Sequence, residues 1–346
     1  MGYRSGRMLR TLVVSLALSV LYATACTAAE AIRLGWQTQW ATQGQLVMAL
    51  KHTTIPDLAG VALSFTGFPY GAPLNAAALA DQVDIVLTAD QPALVLLARK
   101  PQARIVGRLM YNRACLYVPR SSPIREVGEL GGSTIMGPAG AAAERVALAA
   151  LQGAGVPLAG LRLGNLDMAQ QSALLRRVAG QPEHREIGAL YGFDPLVAAF
   201  EEADSIRSLH CGKVLAVIVA SERMMTERRD QLERFLAALA LGWWHYASHP
   251  HEMNAAFAAE AKLDVTEGAL ERAAAVEPNR SARQIGDVRI DLSAEDRAML
   301  TEVMAFLVDR RILTRTLDVA TLIDTGPLKA AMTRFDLSTL AAAVSR

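Results

Sequence analysis

Along the chain, short apolar runs alternate with segments whose apolar residues recur at helical spacing. AIRLGW (31–36) reads as a strand, and GQLVMALKH as the helix behind it. VALSFTGF (61–68) is a second strand, followed by a helix through APLNAAALA that Pro73 opens near its first turn. VDIVLT (83–88) is a short apolar strand bounded by turn signals, and QPALVLLAR again begins a helix with an early proline, Pro92. A βαβαβα order of this kind predicts an α/β class with parallel strands and right-handed crossovers.

The middle of the chain repeats the pattern. ACLYVPRSSPI holds a strand that ends in a Pro and Ser turn, STIMG (133–137) another strand, and GPAGAAAERVALAALQGAG a helix entered through a glycine-rich turn. LRLGNLD, the helix QQSALLRRVAG and IGALYGF follow, then KVLAVIVA (213–220), a nearly all-apolar strand. From Glu222 onward the periodicity is helical, with amphipathic stretches at DQLERFLAALALGWWHYA, HEMNAAFAAEA and AEDRAMLTEVMAFLVDRR. No low-complexity linker or solenoid-length repeat interrupts this order.

The first residues set the compartment. Arg4, Arg7 and Arg10 precede the apolar run TLVVSLALSVLYA and the small residues of TACTAA, the arrangement of a secretory signal peptide over 1–29 with cleavage after Ala29. Cys26 in YATAC offers a rival reading, a lipoprotein anchor, although Ala23 stands where Leu is usual. Removing 1–29 takes away three Arg and no acid, so the formal charge goes from +1 to −2. A nearly neutral chain of this size offers no nucleic-acid surface. About 317 residues remain, enough for two domains, with Cys115 and Cys211 as their only cysteines.

In open parallel sheets ligands bind beyond the carboxyl ends of the strands. That rule gathers 36–40, 68–71 and 88–91 at one rim. There Trp36, Gln37 and Trp40 offer flat apolar faces and an amide, and Tyr70, Thr88, Asp90 and Gln91 add polar groups. Either indole could instead pack the core, and Asp90 could cap the helix that follows it. At MGPAGAAAERV (136–146) a helix starts directly after a strand, so its unpaired N–H groups favour an anionic group. A tight strand-to-helix connection is the plainer alternative there.

Laid end to end, these pieces resemble the nitrate, sulfonate and taurine family of periplasmic solute-binding proteins of ABC importers. The resemblance rests on LGWQ, ALADQVDIVLT, LYVPRSSPI, GELGGSTIMGPAG, YGFDPLVAAFE, VIVASERMMTERRDQLERFLAAL, IDLSAEDRAML and VDRRILTRTLDVATLID, in that order over about 300 residues. It implies a type II two-lobed binding-protein fold, with a mainly parallel sheet in each lobe and the ligand in a cleft that closes by hinge motion. The lobes would divide as 30–112, 113–220, and a helical 221–346 that returns to complete the first.

On this reading Tyr191, Phe193 and Asp194 of YGFDP face the cleft from the second lobe, with Phe193 where Trp is common and core packing as its alternative. Family members usually carry Ser or Thr at the helix start after GELGGSTIMG. Here Pro138, Ala139 and Ala141 supply no hydroxyl, which leaves the N–H groups of Gly140, Ala141 and Ala142 and puts a sulfonate or nitrate ligand in doubt. Arg113, where the chain passes between lobes, either neutralises a ligand anion or forms an interlobe salt bridge. Asp84 belongs to a structural turn before its strand. The strands LYVPR and VLAVIV would lie in one lobe and bring Cys115 near Cys211, with a bridge and two free thiols as the alternatives.

The implied partners are a small organic ligand, an ABC permease and its ATPase. The protein would act as a monomer in the periplasm, touching the membrane only through the permease or an amino-terminal lipid. The same fold also serves periplasmic sensor accessories that feed a histidine kinase or chemoreceptor. It serves as well the enzymes that make the thiamine pyrimidine with a cysteine-rich iron-binding motif. No such cysteine cluster, GxSxG, HExxH or P-loop occurs here, so no enzyme activity and no cofactor are expected. His245, His249 and His251 lie beside Trp243 and Trp244 on a helix and its following loop, without a carboxylate or Cys at ligand spacing, and no metal is expected.

Overall fold

The computed structural model describes residues 30–178 and 188–344. The leader, its cleavage site and Cys26 lie outside them. Eight strands form one sheet in the order β2-β1-β3-β8-β4-β7-β5-β6. β1 (Ile32–Gln37) pairs in parallel with β2 (Leu63–Phe68) and with β3 (Ile85–Ala89). At the other end β5 (Thr134–Gly137) pairs in parallel with β6 (Arg162–Asn165) and β7 (Ala189–Phe193). Each group is parallel within itself, as the alternation of strands and helices requires.

Two long antiparallel strands join the groups. β4 (Arg104–Pro119) runs beside β8 (Ile206–Ala220) over nearly their whole length. One end of this ribbon pairs with β3 through 216–220, the other with β7 through 114–117. The sequence patterning found only the distal part of β4, from Ala114, and the last half of β8. The Arg104–Arg113 stretch carries no alternation because the ribbon is covered on both faces, where parallel and central strands lose their polar side. β8 shows this directly: Ala216, Ile218 and Ala220 enter one hydrophobic core while Leu215, Val217 and Val219 enter another across the sheet.

Cys115 and Cys211 face each other on this ribbon and form a disulfide, so of the two alternatives the structure holds the bridge. Helix Arg229–Ser248 is the longest element of the carboxyl-terminal part, and Phe235, Trp243 and Tyr246 bury its inner face. It packs on helix Gln43–His52, where Gly242 leaves room for Leu46 and Leu50. Among the described residues no helix is long and apolar enough to cross a membrane.

Candidate functional site

The carboxyl ends of β1 and β3 face those of β5 and β7 across the middle of the β4–β8 ribbon, and a narrow cleft lies between them. One wall is built by Gln37 at the end of β1 and Trp40 just beyond it, Gly71 at the start of helix Gly71–Leu79, Ala89 at the end of β3 and Pro92 in the helix that follows. The floor is the ribbon itself, at Asn112, Ala114 and Val214. The opposite wall is Phe193 at the end of β7 and the first turn of helix Ala142–Gly153. The enclosed part is narrow, with room for about one water.

The walls already touch. The rings of Trp40 and Phe193 meet edge to face at 6.3 Å. Ala41 N–H donates to the Asp194 carbonyl at 3.3 Å, and Arg145 reaches across to the Asp90 carboxylate at 2.7 Å. A Cβ on Gly140 would stand 3.5 Å from that of Ala72. This is a closed arrangement.

Glutamines knit the Trp36–Gln45 connection. Gln43 accepts the Gln37 N–H at 2.5 Å and donates to the Leu87 carbonyl, while Gln45 accepts from the Thr42 N–H and donates to Asn254. With its backbone tied in this way, the segment can present side chains that are left without partners. Buried Gln37 Nε2, Trp40 Nε1 and Asn112 Oδ1 have none. Buried polar groups are nearly always paired, so three at one cleft mark a place for another molecule.

The expected site residues divide into distinct groups. Gln37, Trp40, Ala141 and Phe193 line the cleft. Trp36 does not: its indole sits with Ile32 and Leu34 in the core behind the wall. Thr88 and Gln91 are buried beside the cleft, with Thr88 Oγ1 and Gln91 Oε1 unpartnered. Tyr70 is half-buried, and the Tyr191 ring fills the space over Gly137. Burial pushes the Tyr191 phenol up, and Glu144 and Tyr70 add to the effect.

The charged candidates satisfy one another. Asp90 is the first residue of its helix, with Ala89 as the cap; one carboxylate oxygen takes the Gln91 N–H and the other takes Arg145 and the Leu215 N–H. Arg113 pairs with Asp194 through Nε at 2.9 Å and with Glu201 at 2.7 Å. Burial disfavours the Arg113 charge, but these two carboxylates outweigh it and hold the guanidinium above its usual range. Burial pushes the Asp194 carboxyl up, against the pull of Arg113 and of the Ala198 N–H.

The helix start is changed from the expectation in one respect. Gly140, at φ +77°, gives its N–H to the Glu144 carboxyl at 2.7 Å, and Ala141 N–H goes to the Pro138 carbonyl. Ala142 and Ala143, in the first turn of the helix, line the cleft. Burial pushes the Glu144 carboxyl up.

Sequence reasoning missed Asn112 and Arg145, and placed Gly71 at the rim only as the end of the 68–71 segment. Asn112 carried a signal, a lone amide within the apolar run LMYNRACLY. Gly71 is small because Pro92 and Thr88 stand where its Cβ would go, and Arg145 reads as an ordinary helix-surface residue until the fold sets Asp90 opposite it. A larger groove lies at the other ends of the strands, beside Arg33, Asp84, Lys100 and Ser221, but its ion pairs Arg33–Asp84 and Lys100–Asp81 are complete. His245 and His249 stack at 4.3 Å, and among the described residues no three His, Cys, Asp or Glu are grouped to hold a metal.

A family model described as NMT1/THI5 like matches residues 59–253, more than half of the chain. The chain belongs to this family. Its fold is that of periplasmic binding proteins. The periplasmic aliphatic sulphonate-binding protein SsuA of Escherichia coli superposes with a TM-score of 0.66 at 18% identity, over 85% of this chain and 92% of that one. The alkanesulfonate-binding protein SsuA of Xanthomonas axonopodis pv. citri, bound to MOPS, gives 0.68 at 21% identity, over 85% and 97%. A cysteine-to-serine variant of DSZB, with biphenyl-2-sulfinic acid, gives 0.66 at 15% identity, over 88% and 99%. No curated protein matches the sequence. The fold therefore serves binding proteins and an enzyme alike, and the residues of the cleft must decide the function.

Proposed function

We propose that this protein is the solute-capturing component of an ABC-type importer, holding a small organic molecule between two lobes in the periplasm and presenting it to a membrane permease. The observation that carries the reading is the set of buried, unpartnered polar atoms, Gln37 Nε2, Trp40 Nε1 and Asn112 Oδ1, around a cleft whose walls come from opposite ends of the sheet. The lobes divide near 113 and 221 in the chain, so that β4 and β8 act as the two crossing segments. Hinge bending of the ribbon would admit the ligand, and closure would satisfy donors and acceptor together.

Binding rather than catalysis is favoured by the lining itself. None of its residues is a Ser, Thr, Cys, His, Lys, Tyr or carboxylate, so neither a nucleophile nor a general acid or base meets the ligand there. Cys115 and Cys211, the cysteines of the secreted chain, are joined to each other.

The test begins with a thermal-shift screen of small solutes, because a ligand at 100 times its dissociation constant adds about 2.7 kcal/mol of stability. Deleting the gene should then abolish uptake of the stabilising solute. Unchanged uptake in the deletion strain, with the purified protein still binding the solute, would rule out the import role.

A further inference from the structure

We propose that the cleft selects an uncharged ligand bearing a carbonyl-type acceptor beside an N–H donor, such as a primary amide, urea or lactam, and rejects carboxylates and sulfonates of the same shape. The inference rests on the solute-binding reading and adds the ligand's chemical class.

The first ground is charge. No residue lining the cleft is ionisable. The two nearest cations are already taken: Arg145 by Asp90, and Arg113 by Asp194 and Glu201. Asp90 and Asp194 are fully buried, so neither can turn to water and release its arginine to a ligand. The helix start after β5 is weakened as an anion site, because its Gly140 N–H is already taken by the Glu144 carboxyl and its Ala141 N–H by the Pro138 carbonyl.

The second ground is the sense of the hydrogen bonds. Trp40 Nε1 can only donate, and Gln37 Nε2 donates beside it. Asn112, on the floor of the cleft, gives Nδ2 to the Ala41 carbonyl at 3.4 Å, which leaves Oδ1 as its buried, unpartnered acceptor. A carboxylate or sulfonate has acceptors only. It would meet the donors but set its oxygens against Asn112 Oδ1, leaving that atom buried and unpaired. An ammonium would fail at Trp40 and Gln37. An amide edge carries both kinds of group and satisfies all three side chains.

The experiment uses the purified secreted chain and matched sets that differ only in the head group: acetamide, acetate and methanesulfonate; benzamide, benzoate and benzenesulfonate; nicotinamide, nicotinate and pyridine-3-sulfonate. Affinities are read by calorimetry and melting-temperature shift. At least one amide should bind at least ten times more tightly than both of its anionic partners. Asp90→Asn, which frees Arg145 while keeping an acceptor for the Gln91 N–H, should raise affinity for the anions at least tenfold. Asn112→Leu is a second variant that stands if the first does not fold; it should cut the preference for amide over carboxylate. An anion that binds the wild type as tightly as its amide, or no amide binding in any set, overturns the inference. Anion binding leaves the solute-binding reading intact, whereas silence across these sets and the wider solute screen overturns both.

Discussion

Trp36 and Trp40 are both buried in the same core, at 2% and 3% exposure, but only Trp40 also lines the cleft, with its N–H unpartnered. Trp36→Ala should therefore cost about 3–5 kcal/mol of stability, as large aromatic truncations in cores do, in a urea titration. Trp40→Phe keeps a smaller aromatic ring in place and removes a donor that the free protein leaves unsatisfied. It should leave the stability of the free protein within about 1 kcal/mol while weakening ligand binding roughly tenfold, the worth of about one hydrogen bond. Equal losses of stability in the two variants would contradict this division of labour.

Asp84 carries a pH dependence. Burial alone would push its carboxyl up, but Arg33, through side chain and N–H, together with Arg228 outweighs burial and holds it below its usual range. A carboxyl lowered on folding contributes stability above its unfolded value of about 3.9, and the contribution is lost as pH falls through the folded value. Asp84→Asn should cost about 2 kcal/mol at pH 7, by removing hydrogen bonds to charged groups. The gap from wild type should close below about pH 4 in melting curves. A constant gap down to pH 3 would mean that the lost contacts are not electrostatic.

Among the elements, the β4–β8 ribbon bears the most. It joins both parallel groups, floors the cleft and carries the disulfide. Reduction of Cys115–Cys211 should lower stability by about 2–4 kcal/mol, measured by denaturation with and without reductant. Alkylation of the folded, unreduced protein should leave both cysteines unmodified, and labelling of either would contradict the bridge. The end of β5 is tight for a different reason. A Cβ on Gly137 would come within 2.3 Å of the Tyr191 ring and 2.5 Å of its backbone oxygen. Gly137→Ala should consequently destabilise by about 1–3 kcal/mol, as overpacking does, and lower the melting temperature while reduced bulk at 191 (Tyr191→Leu in the same chain) relieves only part of the loss.

For the whole molecule, the contacts across the cleft describe a closed state, with Arg145–Asp90 and Trp40–Phe193 as its fasteners. Free protein in solution should have a larger radius of gyration by small-angle scattering than the closed arrangement, and a bound solute should reduce it. Arg145→Ala removes a fastener and leaves Asp90 buried without its cation. Compaction should then need roughly ten times more ligand. An unchanged radius on binding in the wild type would argue against hinge closure.

The order of short apolar runs and amphipathic helices, together with strand-end placement, was enough to determine an α/β class and to direct attention to the rim at 36–40, 68–71 and 88–91, because periodicity and chain direction are local properties. Gln37 and Trp40 were legible for that reason, and Phe193 only through the family resemblance of YGFDP. What the tertiary structure alone decided is which residues meet over long separations. It turned Trp36 into the core, since a side chain's face at the last turns of a strand depends on register. It paired Asp90 with Arg145 and Arg113 with Asp194, removing from the cleft charges that the sequence left open. It brought Asn112 to the floor through a strand whose burial on both faces erased its pattern. Charge and hydrogen-bond sense at a site are sums over partners far apart in the chain, and only folding supplies the partners.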